Sequence, residues 1–174
     1  MQRKKNFSFE LITQYQSARL GKIFTPHGLI NTPAFMPVGT LGTVKGVFVD
    51  DLAQTNSEII LGNTYHLLLR PGLNVLKKFN GLHKFMNWHK PILTDSGGFQ
   101  IMSLSKLNQI DKKLGAIFKS HIHGKKFILS PEKSIQIQKI INSDILMVLD
   151  QCPKLTNDRK LLADAIDIST NWAK

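Results

Sequence analysis

The sequence predicts an α/β protein, and three observations carry that reading. Four short apolar runs succeed one another after residue 32, at Ala34–Val38, Ile59–Leu61, Ile92–Leu93 and Ile145–Leu149. Each run is followed by sequence compatible with a helix. Polar residues gather directly behind the runs, with Asn63-Thr64 after the second, Asp95 after the third and Asp150 after the fourth. Strands buried on both faces of a parallel sheet call for continuous apolar runs of this length, because neither face meets water. With 174 residues, 42% of them hydrophobic, the chain can enclose one domain-sized core.

The elements follow in order. Phe7-Ser8-Phe9-Glu10-Leu11 alternates, Arg19 to Phe24 does so more loosely, and Thr25-Pro26-His27-Gly28 marks a turn. A small antiparallel sheet over residues 1–31 is therefore expected ahead of the main fold, residues 32–174. Asn63-Thr64-Tyr65-His66 reads either as a pocket loop or as a cap for the Leu67–Leu69 turn, and Arg70-Pro71-Gly72 then breaks the helix. Leu104 to Leu129 is an insertion holding a β-hairpin that turns at Gly124-Lys125. His121 and His123 would share one side of a strand there, as metal ligands or, with no third ligand nearby, as surface histidines. Ser130-Pro131 is a helix start, serine as N-cap and proline at the first helical position. That helix should run to about Ile141 and stop at Asn142-Ser143. Thr156 or Asn157 can cap a last helix whose apolar face is Leu161, Leu162, Ala165, Ile168 and Trp172.

Four βα units fit either an open doubly wound sheet or part of a (β/α)8 barrel. Both architectures place active sites at the carboxyl ends of the strands. A complete barrel takes about 250 residues, so on the barrel reading this chain is the first half of one.

Composition narrows the setting. The net charge is +11, and lysine supplies nearly all of it, since arginine stands only at positions 3, 19, 70 and 159. Residues 103–139 carry eight lysines against Asp111 and Glu132. Such a surface favours a polyanion, nucleic acid first, while a lysine-rich bias with no specific patch accounts for the charge equally well. The single cysteine, Cys152, excludes an intramolecular disulfide and fits a reducing compartment. No apolar stretch approaches bilayer-crossing length, and the basic start has no signal-type apolar run behind it. A cytoplasmic protein with no membrane partner is expected.

The segment richest in chemistry is Leu93-Thr94-Asp95-Ser96-Gly97-Gly98-Phe99-Gln100. Asp95 offers a base or acceptor, the glycines admit backbone N–H groups to a ligand, and Phe99 offers a stacking face. Asp95 and Asp150 share the carboxyl end of the predicted sheet, where two carboxylates can divide labour. The alternative is that each aspartate caps a helix or closes a turn, and that Phe99 belongs to the core. Cys152 could line the same pocket or be a buried inert thiol.

Taken together, these segments resemble the tRNA-guanine transglycosylases, also called queuine tRNA-ribosyltransferases. The matching blocks are Thr32 to Thr40, Gly42 to Gly46, Ile60 to Leu67, Leu69 to Gly72, Pro91 to Gln100 and Ser130 to Ser134, in order over nearly the whole chain. The resemblance implies a TIM barrel, here about its first four βα units, with an N-terminal antiparallel sheet. It implies exchange of guanine at the tRNA wobble position for a 7-deazaguanine base, 7-aminomethyl-7-deazaguanine or queuine. By motif, Asp95 looks like the proton acceptor that also contacts the base, Ser96, Gly97, Gly98 and Phe99 like the wall of the seat, and Asp150 like the carboxylate reading the guanine-like edge, with Cys152 nearby. The family's usual Asp-Glu-Cys reads Asp150-Gln151-Cys152 here. The family's nucleophilic aspartate, its main wobble-base segment and its Cys/His zinc ligands have no counterpart in these residues. No cofactor is therefore expected in this chain, and no transglycosylation by it alone. Its expected partners are tRNA, the deazaguanine base, and either a second copy or a complementing C-terminal half. A non-catalytic tRNA-binding remnant, or half of a split enzyme, is the alternative.

Overall fold

The computed structural model describes residues 7–104, 109–112, 114–120, 122, 124 and 126–174. In chain order the elements are β1 (Ser8–Tyr15), β2 (Ala18–Thr25), β3 (Gly28–Thr32), β4 (Val38–Gly39), α1 (Val49–Gln54), β5 (Ile60–Gly62) and α2 (Thr64–Leu67). A kinked segment, Leu68–Gly72, leads into α3 (Leu73–Lys78), α4 (Leu82–Met86), β6 (Ile92–Thr94) and α5 (Gly98–Leu104). Then come β7 (Gln109–Asp111), β8 (Gly115–Lys119), β9 (Lys126–Leu129), α6 (Pro131–Ile141), β10 (Ile145–Leu146) and α7 (Arg159–Trp172).

These make a mixed α/β architecture of three sheets. β1-β2-β3 and β7-β8-β9 are antiparallel, and β10-β6-β5-β4 is parallel throughout. The parallel sheet is in register across its middle, with Gly62 opposite Thr94 and Thr94 opposite Leu146. That register positions the site, because the next residues, Asn63, Asp95 and Met147, must all emerge at one edge of the sheet. Ile60 and Ile92 are wholly buried, and α2, α3, α4 and α6 close over the sheet with Leu67, Leu76, Leu82 and Ile141.

Local signals set α6 as expected. Ser130 Oγ accepts from the Lys133 N–H at 3.2 Å, Pro131 opens the helix, and Asn142 ends it in the left-handed conformation at φ 61°. Other expectations need correction. Only Val38 of Ala34–Val38 is strand, and pairing continues to Gly39 instead. The last strand stops at Leu146, not Leu149. The cap of α7 is Asp158, whose carboxylate accepts from the N–H groups of Lys160 and Leu161. Thr156 instead supports that cap by accepting from the Asp158 N–H. Ala165, Ile168 and Trp172 are buried on α7, but Leu161 and Leu162 are exposed. The first turn of α7 lies beyond the surface that its later turns cover. β8 and β9 do pair as a hairpin; His121, His123 and Lys125 of the expected turn lie outside the described residues.

The opposite edge of the parallel sheet carries a second polar cluster. The Asp144 side chain is fully buried and accepts from the Ile92 N–H at 2.9 Å. His27, in the turn between β2 and β3, places Nδ1 2.7 Å from Asp144 Oδ1, and His83 of α4 places Nε2 3.2 Å from Oδ2. The two imidazoles stack with centroids 3.7 Å apart. This trio fastens the N-terminal sheet to the base of the parallel one.

Candidate functional site

Asp95 leaves β6 with its backbone N–H donating to Gly62 O at 3.1 Å, which continues the sheet by one step. Its carboxylate is held by three donors. Asn63 Nδ2 and Gln100 Nε2 both reach Oδ2, the latter at 3.0 Å, and the Thr64 N–H reaches Oδ1 at 2.8 Å. The Thr64 hydroxyl returns to the Asp95 carbonyl. Asn63 stands at the N-cap of α2 without capping it. Instead, Asp95 satisfies the free N–H of that helix from the neighbouring strand, while Asn63 turns its amide to Asp95. The alternatives for residues 63–66 thus merge: the segment starts a helix and lines the site.

The Asp150 loop is tied to the Asp95 loop directly. Ser96 donates its hydroxyl to Asp150 Oδ1 at 2.8 Å, and the Gly98 N–H donates to Ser96 Oγ at 3.2 Å. Gly97 has φ +85°, a left-handed backbone that favours glycine. These residues open onto a cleft of about 320 Å³ lined by Asp95, Ser96, Gly97, Phe99, Gln100, Met147, Val148 and Asp150. Phe99 is 57% exposed, so its ring is not core but is free to meet a ligand. Gln100 Oε1 is buried with no hydrogen-bond partner among the described residues, an acceptor open to an N–H.

Of the residues singled out in the sequence, Asp95, Ser96, Gly97, Phe99 and Asp150 line this cleft together, and Gly98 packs behind it against Asp150. Cys152 does not line it. Burial, and then the Asp150 carboxylate, push its thiol pKa up, away from a reactive thiolate. Asn63, Thr64, Gln100, Met147 and Val148 complete the surroundings. Gln100 ends the motif already quoted, whereas nothing local marks Met147. Gln151 N donates to Ser169 Oγ at 2.9 Å, anchoring the Asp150 loop to α7.

A larger cavity of about 560 Å³ lies among Phe35, Val44, Leu52 and Glu58. Its one ionisable residue, Glu58, is already engaged by the Asn31 N–H and amide at 2.6 Å each.

Neither polar cluster fits a Cys/His zinc site. The one cysteine is held as a thiol, and among the described residues only His27, His83 and Asp144 group as metal-type ligands. Their imidazoles are inclined by just 19°, so their in-plane lone pairs run side by side and do not converge as a tetrahedral ion requires.

Comparison with known proteins gives one family. The family model described as queuine tRNA-ribosyltransferase matches residues 14–174. The queuine tRNA-ribosyltransferase of Jannaschia sp. is 54% identical over 166 residues, 95% of this chain and 44% of its own length. That of Dinoroseobacter shibae is 51% identical over 169 residues, 97% of this chain and 45% of its own. That of Shouchella clausii is 52% identical over 157 residues, 90% of this chain and 41% of its own. The chain spans a little under half the length of these curated relatives. A continuous match of this extent, across the strands and loops that build the cleft, leaves one assignment: the chain belongs to the queuine tRNA-ribosyltransferase family.

Proposed function

We propose that this chain supplies the base-binding part of an enzyme that exchanges guanine at the tRNA wobble position for a 7-deazaguanine base, either 7-aminomethyl-7-deazaguanine or queuine. The observation that carries the reading is the pair of carboxylate loops, Asp95-Ser96 and Asp150, hydrogen-bonded to each other around one cleft. Asp150 accepts from the N–H and amino groups that distinguish a guanine-like edge from adenine. Gln100 Oε1 adds a second acceptor, Phe99 stacks on the purine face, and Asp95 takes the proton. The base reaches such a cleft only when splayed out of its RNA loop.

On this reading the parallel sheet is the first four strands of a TIM barrel, residues 1–31 form its N-terminal antiparallel sheet, and residues 32–174 the half barrel. Displacement at the anomeric carbon follows the two-step carboxylate logic of retaining glycosidases. Its nucleophile has no motif match among these residues; a complementing C-terminal half would supply one, whereas a second copy of this chain would cover the open sheet edges without supplying it. Among the described residues no helix is long and apolar enough to cross a membrane, and action on tRNA suits the cytoplasm.

Calorimetric titration of the chain with 7-aminomethyl-7-deazaguanine tests the proposal, with adenine as control. Binding of the deazaguanine alone, weakened by Asp150→Asn, is the expected result. Equal binding of adenine, or none of either, overturns it. No incorporation of labelled guanine into cognate tRNA is expected from the chain by itself; clear turnover would sink that part.

A further inference from the structure

Gln138 lies in the middle of α6, away from the cleft, and is fully buried. A glutamine side chain has four hydrogen-bonding positions, two on the oxygen and two on the nitrogen. All four are filled. Oε1 accepts from Thr94 Oγ1 at 2.9 Å and from the Met147 N–H at 2.9 Å. Nε2 donates to the Met147 carbonyl at 2.8 Å and to Ser134 Oγ at 3.1 Å. The Met147 backbone fixes which end of the amide is which, because its N–H only donates and its carbonyl only accepts.

Donor direction runs through the whole network without conflict. Thr94 gives its hydroxyl hydrogen to Gln138, so its 2.6 Å contact with Ser143 Oγ is one in which Ser143 donates. Ser134 gives its hydrogen to the Ser96 carbonyl at 2.8 Å and accepts from Gln138. The Gln138 amide thus takes both backbone groups of Met147, just past the end of β10, sharing its N–H with the Thr94 carbonyl of β6 at 3.2 Å. Through Ser134 it also grips the backbone of Ser96, whose own hydroxyl holds Asp150. A buried glutamine serving the core alone has no need to divide its bonds between these two loops.

We infer that Gln138 is a positioning residue, which locks the Asp95-Ser96 loop to the Met147–Asp150 loop and so sets the spacing of the two carboxylates across the cleft. The inference rests on the cleft being a base seat, but the lock itself does not. Its chemistry is amide-specific. Glutamate is isosteric yet brings no N–H to Met147 O or Ser134, and methionine fills the volume while leaving both backbone groups of Met147 without the side-chain partner.

The test uses the whole chain with Gln138→Met, Gln138→Glu and Ser134→Ala. Three quantities are read by NMR and calorimetry: hydrogen exchange at the Met147 N–H, the side-chain carboxyl carbon chemical shifts of Asp95 and Asp150, and affinity for 7-aminomethyl-7-deazaguanine. Gln138→Met should speed Met147 exchange and lower affinity by roughly tenfold, the loss of one to two good hydrogen bonds. Gln138→Glu keeps an acceptor for the Met147 N–H but loses both donated bonds, so it should lower affinity with Met147 still protected. Ser134→Ala should leave Met147 protected while moving the Asp150 carboxyl resonance and lowering affinity. A purely structural role would lower stability without that separation. Gln138→Met with wild-type exchange, or variants with unmoved carboxyl resonances, overturn the inference. Should the wild-type chain bind no base, the proposed function fails, while exchange and carboxyl resonances still decide the lock. Should the Gln138 variants not fold, Ser134→Ala decides it through the Asp150 resonance.

Discussion

Gly98 and Asp150 touch across the two loops of the cleft. A methyl group built on Gly98 would stand 2.6 Å from the Asp150 carbonyl oxygen and 2.7 Å from its Oδ1. Neither distance is tolerable, and the nearer atom is backbone. Gly98→Ala must therefore push the Asp150 loop away and loosen the Ser96–Asp150 bond. A cost of about 1–3 kcal/mol in stability is expected, as for overpacking elsewhere, read from urea unfolding. Base binding should weaken in step; a Gly98→Ala chain with unaltered stability and affinity would mean that the loops are not in contact.

Asp144 links pH to stability. Burial alone would raise its pKa, but the His83 and His27 side chains and the Ile92 N–H lower it, from 3.8 to about 2. The folded carboxyl is thus depressed, so its contribution is present above the unfolded pKa near 3.8 and is lost as pH falls toward 2. The shift corresponds to about 2 kcal/mol. Asp144→Asn should lose roughly that at pH 7 and flatten the fall in stability between pH 4 and 2. Chemical unfolding at stepped pH measures both; a mutant whose acid limb matches the wild type contradicts the assignment.

The N-cap of α6 is a local device with a local cost. Ser130→Ala removes the acceptor for the Lys133 N–H and should cost about 1 kcal/mol, with Asp or Thr at the position restoring most of it. Thermal melts of the three variants give the comparison. Equal melting temperatures for serine and alanine would show that the cap contributes nothing.

The parallel sheet ends in β4 on one side and β10 on the other. Val38 is 49% exposed on the first, and Met147 and Val148, just past the second, are 44% and 48% exposed. Unpaired strand edges flanked by apolar side chains are templates for association. The chain should therefore self-associate with rising concentration in sedimentation runs, and Val38→Lys should reduce it. A monomer at all concentrations, with one cooperative melt, would speak against this.

Much of the fold was legible because its signals are short-range. Ser130-Pro131 and Asn142 bound α6 by geometry reaching no more than four residues, and Thr25-Pro26-His27-Gly28 turns the chain in the same way. The cleft's motif was legible too, because a carboxylate followed by Gly97-Gly98 carries its own backbone requirement. What misled were continuous runs. Ala34 to Pro37 and Met147 to Leu149 are apolar enough for strands, yet only their bordering residues Pro37 and Met147 reach a neighbouring strand, each by a single backbone bond, to Leu61 and to Thr94. Leu161 and Leu162 face outward on a helix with too little surface to cover them.

By itself, then, the sequence determined the α/β class, the family and five of the residues that line the cleft, Asp95, Ser96, Gly97, Phe99 and Asp150. Only tertiary structure decided what each polar group holds. Asn63 serves Asp95 across 32 residues, Ser96 serves Asp150 across 54, and Gln138 completes the last strand from a helix. The reason is physical. A cap or turn is satisfied by atoms already adjacent in the chain, whereas a buried amide or carboxylate takes whichever partner the sheet register delivers to it.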